Sequence, residues 1–272
     1  WAVFFGSAAT DPSWRLFALA ELLVFVGLLV GGYVYLYRIG AFDWERERPQ
    51  ALTIDVILER DLTAAGATDD LDTVVQHVLN TGRYREVFLV GFSLGGNVTL
   101  KYMGERDVSP FIKKSVVFSV PMDLRRSCEK ISRPLNRIYS NRFLRSLKSK
   151  IRQKSLVRGE LDATRLNQIK TLIEFDDCYT APLHGFRNAI DYYEQCSSVR
   201  FVANINVPTL IINTLNDPFL SPECFPSALL ENHPFVQLQI LARGGHVGFT
   251  QFNKNGLYWS EQRALEFLGG GK

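Results

Sequence analysis

Apolar positions along this chain switch repeatedly between short runs and helical spacing. The stretches 86–90, 115–120, 207–214 and 236–241 are short apolar or alternating runs bounded by Gly, Pro, Asn or Asp, which predicts strands. Between and around them lie helical patterns. Leu71, Val74, Val75 and Val78 share one face after Thr68-Asp69-Asp70, whose acids suit a first helical turn, and that helix leads to Gly82. A helix-like stretch at 96–102 follows the first of these strands, and 259–268 reads as a closing helix under the sheet before a glycine tail. Strands alternating with helices predict a mostly parallel α/β sheet.

The N-terminal pattern admits two readings. Residues 16–37 are apolar except for Glu21, with Arg15 and Arg38 at the ends and Tyr33, Tyr35 and Tyr37 placed as an interfacial belt, so the segment could span a bilayer. In the other reading, which is preferred, 2–5 is a strand, Ser13 caps a helix over 16–30, Gly31-Gly32 ends it, and 33–37 is a buried strand. Residues 44–49 form a charged loop, and 52–58 alternates enough for another strand. The first residue is Trp1 rather than Met, a start compatible with a fragment, so a signal peptide is not judged.

At 272 residues the chain is expected to be one domain. The net charge of +3 is too small, without a recognisable binding module, to make nucleic acid the main partner. Cys128, Cys178, Cys196 and Cys224 have neither metal-ligand spacing nor the density of a disulfide framework. No zinc signature, P-loop or dinucleotide fingerprint occurs, so neither cofactor nor metal is expected.

The chemistry is announced by Gly91-Phe92-Ser93-Leu94-Gly95. This pentapeptide stands between a strand-like run and a helix-like one, as a nucleophile elbow requires. By itself the motif also fits a plain Gly-rich turn. Asp217 follows the 207–214 strand in Leu215-Asn216-Asp217-Pro218, where an Asx turn before proline is the alternative. His246 lies in the Gly-flanked loop after the 236–241 strand, where it could instead bond local carbonyls. Ser, then Asp, then His, each beyond a strand, is the chain order of α/β-hydrolases. His77 lies in a helical pattern and His233 in a surface turn, so neither competes.

Val90 to Asn97 around the elbow, Glu174-Phe175-Asp176-Asp177, Tyr179 to Phe186, Asp191-Tyr192-Tyr193, Asn216-Asp217-Pro218-Phe219 and Gly244 to Phe249 together resemble the YheT-like α/β-hydrolases, the AB hydrolase 4 family. The likeness runs from about Gly66 to Phe252, and the family includes carboxylesterases and alcohol O-acyltransferases. It implies an α/β-hydrolase fold, from which the N-terminal part (1–65) departs as atypical, and the residues at 121–200 read as a helical cap inserted before the Asp217 strand. It also implies a triad of Ser93, Asp217 and His246 acting on ester or acyl-lipid substrates. Leu94 should give one backbone oxyanion donor. The family's second donor follows a His-Gly pair, and none precedes Ser93; Gly6 in Val3-Phe4-Phe5-Gly6-Ser7 is the nearest candidate. The Tyr179 to Phe186 stretch, with His184, is expected to pack the cap against the core, and Asp176 and Asp177 to bond backbone amides.

From Arg125 to Arg158 twelve basic side chains face a single acid, Glu129. That segment is either a cap meeting an anionic membrane surface or anionic acyl substrate, or simply a solvated helical face. The expected protein is a monomer, cytoplasmic or membrane-associated. A second function class stays open: a catalytically inactive hydrolase fold that binds lipid or a partner through the basic cap.

Overall fold

The computed structural model describes residues 68–158, 163–249 and 257–269. The expectations for 1–65, including Gly6 and the segment 16–37, lie outside the described residues.

Helix α1 (Thr68–Asn80) carries Asp69 and Asp70 in its first turn, where their charge meets the positive end of the peptide dipoles. The chain then turns at Gly82 with φ of 66°. Next come β1 (Val87–Phe92), α2 (Leu94–Glu105), β2 (Ile112–Phe118), α3 (Leu124–Ile131), α4 (Arg137–Arg158) and α5 (Ala189–Cys196). Strands β3 (Thr209–Thr214) and β4 (Val236–Leu241) follow, and α6 (Trp259–Gly269) closes the described chain.

Among the described residues the sheet has four strands in the order β1-β2-β3-β4, and every adjacent pair is parallel. Parallel neighbours need long crossovers. Helix α2 supplies the one from β1 to β2, and the helical segment after β2 supplies the next. Leu100, Tyr102 and Met103 of α2 cover one face against Val117 and Ile211. On the other, Ala264 of α6 meets Val116, Phe118, Leu210 and Ile212. Strand β3 is therefore buried at every position, as a strand sandwiched between helices should be. Among the described residues strand β1 is covered on one side only: Leu89 is buried, while Phe88, Val90 and Phe92 are 41–49% exposed.

The register pairs Phe92 with Phe118, Phe118 with Ile212, and Thr214 with Leu241. All carboxyl ends consequently reach the same edge of the sheet, which brings residues 93, 217 and 246 to one rim.

Between β2 and β3 the chain is helical. Asp123 caps α3 by accepting from the Arg126 N–H at 2.9 Å. Helix α4 buries Leu144 and Ile151 against Leu166, Ile169, Phe175 and Tyr179. Ala181 and Phe186 of the His184 stretch pack with α3 and α5 in a separate cluster, which braces the helical segment. The expectation for the two acids holds for Asp177, which accepts from the Ala189 N–H at 3.0 Å. Asp176 differs. It accepts the Thr180 and Tyr193 hydroxyls, because its half-buried position in the wide turn Asp176–Thr180 faces side-chain donors. Burial pushes its carboxyl above the usual range, and the two hydroxyl bonds only partly oppose that.

Candidate active site

Ser93 occupies the turn between β1 and α2 with φ 53° and ψ −123°, a conformation that L-residues seldom adopt. The turn is held on both sides: the Ser93 N–H donates to the Phe118 carbonyl at 2.9 Å, and the Ser93 carbonyl accepts from the Asn97 N–H at 3.1 Å. Close approach of strand and helix makes the sharp bend geometrically available. A Cβ on Gly91 would lie 2.7 Å from Gly96 Cα, and one on Gly96 would lie 2.6 Å from Val120 Cγ2. A Cβ on Gly95 would meet nothing within 4 Å. The elbow thus depends on Gly91 and Gly96, and the second glycine of the pentapeptide is sterically free.

His246 joins the other two residues. Its Nε2 lies 2.9 Å from Ser93 Oγ, and its Nδ1 lies 2.8 Å from Asp217 Oδ2. A carboxylate only accepts, so Nδ1 carries the hydrogen and Nε2 is left to accept from the serine hydroxyl. Asp217 is 1% exposed, and its second oxygen accepts the Phe219 N–H at 2.8 Å. Both oxygens are thereby directed, and the imidazole has one tautomer and one orientation open to it.

The two loops that carry Asp217 and His246 are stitched together. The Thr214 hydroxyl donates to the Gly245 carbonyl at 2.7 Å, and the Gly245 N–H donates to Asn216 Oδ1 at 2.9 Å. The helical segment grips the same acid loop. Lys130 Nζ donates to the Asp217 carbonyl at 2.9 Å and to the Leu220 carbonyl, and Asn136 Nδ2 donates to the Pro218 carbonyl at 2.8 Å. The Phe219 ring then bridges the two parts. It lies 4.5 Å from the His246 ring, and Tyr139 and Phe143 of α4 pack edge-on against it at 5.1 and 5.7 Å.

The structure brings together all three residues expected to do chemistry. Leu94 is the first residue of α2, where a backbone N–H has no carbonyl of its own helix to meet, so it is free to face a developing oxyanion. Gly6 lies outside the described residues. Lys130 and Asn136 were not given a role at the site by sequence reasoning, and Asn216 and Phe219 entered only as neighbours of Asp217 in a family motif. Lys130 reads as one cation in a basic run, and a lone Asn carries no signal of its own. Cys128 and Cys196 are buried beside this framework, and burial pushes both thiols up to about 12.

A parallel sheet in which one strand delivers a strained serine to the rim, with loops from two later strands meeting it there, is the architecture of the α/β-hydrolase class. The family model described as serine aminopeptidase, S33, matches residues 64–246, and the chain belongs to that family of α/β-hydrolases. It is 31% identical to YheT of Escherichia coli (strain K12) over 188 residues, covering 68% of this chain and 55% of that protein. It is 32% identical to an abhydrolase domain-containing protein of Dictyostelium discoideum, covering 74% and 52% of the respective chains. It is 30% identical to the phospholipase ABHD3 of Mus musculus, covering 68% and 45%. The chain spans about half the length of these curated relatives.

Proposed function

We propose that this chain is a serine hydrolase of carboxylic esters, acting on acyl lipids or medium-chain esters through an acyl-enzyme. The observation that carries the reading is the continuous hydrogen-bond path from Ser93 Oγ through the His246 ring to Asp217 Oδ2. A serine hydroxyl is a weak nucleophile at neutral pH and needs an adjacent base. In the proposed reaction Ser93 Oγ attacks the ester carbonyl carbon while His246 Nε2 takes its proton. Asp217 keeps the ring oriented and stabilises the imidazolium. The tetrahedral oxyanion faces the Leu94 N–H. The C–O bond to the leaving alcohol breaks as His246 returns the proton to that alcohol oxygen.

Water, activated by the same imidazole, then releases the acid and restores Ser93. An alcohol entering in place of water would give a new ester, so the machinery is equally suited to alcohol O-acyl transfer. The name of the relative ABHD3 as a phospholipase supports acyl lipids as the substrate class. No step needs a metal or a cofactor.

A fluorophosphonate probe tests the proposal directly, since it reacts only with an activated serine. Labelling of the wild-type chain at Ser93, absent in Ser93→Ala, is the expected result. An unlabelled, folded wild-type chain would overturn it in favour of an inactive hydrolase fold.

A further inference from the structure

We propose that the start of α4 and the turn before it form a docking surface for an anionic phospholipid interface. The proposal deepens the ester-hydrolase reading by saying how a lipid substrate reaches the site, and rests on that reading for this consequence alone.

Two large apolar side chains stand in solvent here. Leu135 is 96% exposed and Ile138 is 80% exposed, and Tyr139 and Phe143 are exposed beside them. They are not loose ends of a badly packed helix. The opposite side of α4 is anchored by Leu144 and Ile151, and Asn136 is bound to the Lys130 and Pro218 carbonyls. Water is a poor environment for side chains held out so firmly, and a hydrocarbon layer would take them.

Charge identifies the layer. No acidic residue occurs between Glu129 and Glu160. Arg133, Arg137, Arg142, Arg145, Lys150 and Arg152 are exposed around the apolar residues. Among the described residues Arg137, Arg142, Arg145 and Lys150 enter no ion pair, although Arg125 and Arg126 of α3 pair with Glu129. Apolar residues ringed by cations, of which Arg137, Arg142, Arg145 and Lys150 are unpaired, match a phospholipid surface bearing negative headgroups. A nucleic-acid backbone would satisfy the charge but offer no apolar layer to Leu135 and Ile138.

Position gives the surface its purpose. Tyr139 and Phe143 contact Phe219, and Phe219 contacts the His246 ring. The apolar stripe that enters the lipid therefore continues inward to the imidazole, so an acyl chain could leave the interface without crossing water.

The test is co-sedimentation of the full chain with vesicles of phosphatidylcholine alone or mixed with phosphatidylserine. The chain should pellet with the mixed vesicles at least about 10-fold more tightly than with phosphatidylcholine, and salt should weaken that binding. Leu135→Asp/Ile138→Asp and Arg142→Glu/Arg145→Glu should each reduce partitioning about 10-fold or more while hydrolysis of soluble p-nitrophenyl butyrate is unchanged. All four side chains are exposed, and the second pair keeps the question open should the first impair folding. Ser93→Ala should still bind vesicles, so loss of the esterase reading and loss of the docking reading give different results. Equal partitioning of wild type and both variants overturns the proposal. So does a self-association, seen by sedimentation velocity and abolished by Ile138→Asp, that competes with vesicles, because a second copy would then be the occupant.

Discussion

At the scale of single residues, the site is governed by a few contacts with sharp consequences. In Asp217→Asn the amide can keep only one of the two accepted bonds, those from Phe219 N–H and His246 Nδ1–H. The ring loses its fixed tautomer, and kcat toward an ester should fall by about 10⁴-fold with the fold intact, as measured by steady-state kinetics and circular dichroism. The glycines of the elbow separate in the same way. Gly91→Ala pushes a methyl group into the backbone of Gly95 and Gly96, and should lower stability by about 2 kcal/mol and diminish fluorophosphonate labelling. Gly95→Ala meets open space on a helix, and should be neutral or stabilising by up to about 1 kcal/mol in urea unfolding. Equal damage from both would contradict the steric account. The pentapeptide marks the elbow that carries Ser93, yet it does not tell which glycine the backbone approach requires, because Gly96 lies one place beyond it.

At the scale of elements, the helical segment is joined to the sheet by buried polar side chains. Asn97 on α2 is fully buried, donates to the Cys196 carbonyl at 2.8 Å and accepts the Ser198 N–H at 2.9 Å. It thereby fixes the end of α5 to the helix that carries the elbow. Asn97→Leu leaves both backbone groups without a partner, which should cost about 2–4 kcal/mol and shift the denaturant midpoint without changing the slope. On β3, Asn213 plays a similar part, accepting the Val120 N–H at 2.8 Å and donating to the Val120 and Cys224 carbonyls. Neither residue is conspicuous in the chain, because an Asn in an apolar run reads as a weakness until its partners, about a hundred residues away for Asn97, are known.

At the scale of the molecule, charge couples the elements and sets a pH response. Glu105 on α2 accepts bonds from Lys101, Arg106 and Thr68, drawing the start of α1 to the end of α2. Burial alone would raise its carboxyl, but bonds from Lys101, Thr68 and Arg106 outweigh that and hold it below the usual range. A carboxylate held low contributes stability above its ordinary range and loses it as pH falls through the lowered value. Asp176, held high by burial, acts in the opposite sense: its stabilising contribution is lost as pH rises. Glu105→Gln should cost about 1–2 kcal/mol near neutrality and progressively less as pH falls through the lowered value of the wild-type carboxyl, so its thermal midpoint should depend less on acid pH than that of the wild type.

What the sequence determined by itself was local and periodic. The strands at 207–214 and 236–241, the acid-capped helix at Thr68 and the closing helix at Trp259 follow from spacing and caps, because such elements are fixed by neighbours a few residues away. The candidate triad was legible because each member sits just past a strand, where a parallel sheet exposes its carboxyl ends. Only the tertiary structure decided how those members are held. Lys130 and Asn136 seize the acid loop, Phe219 stands between α4 and the imidazole, and Asp176 meets hydroxyls instead of amides. These contacts join positions far apart in the chain, and their direction depends on how helices pack, a quantity that no local pattern of polar and apolar residues encodes.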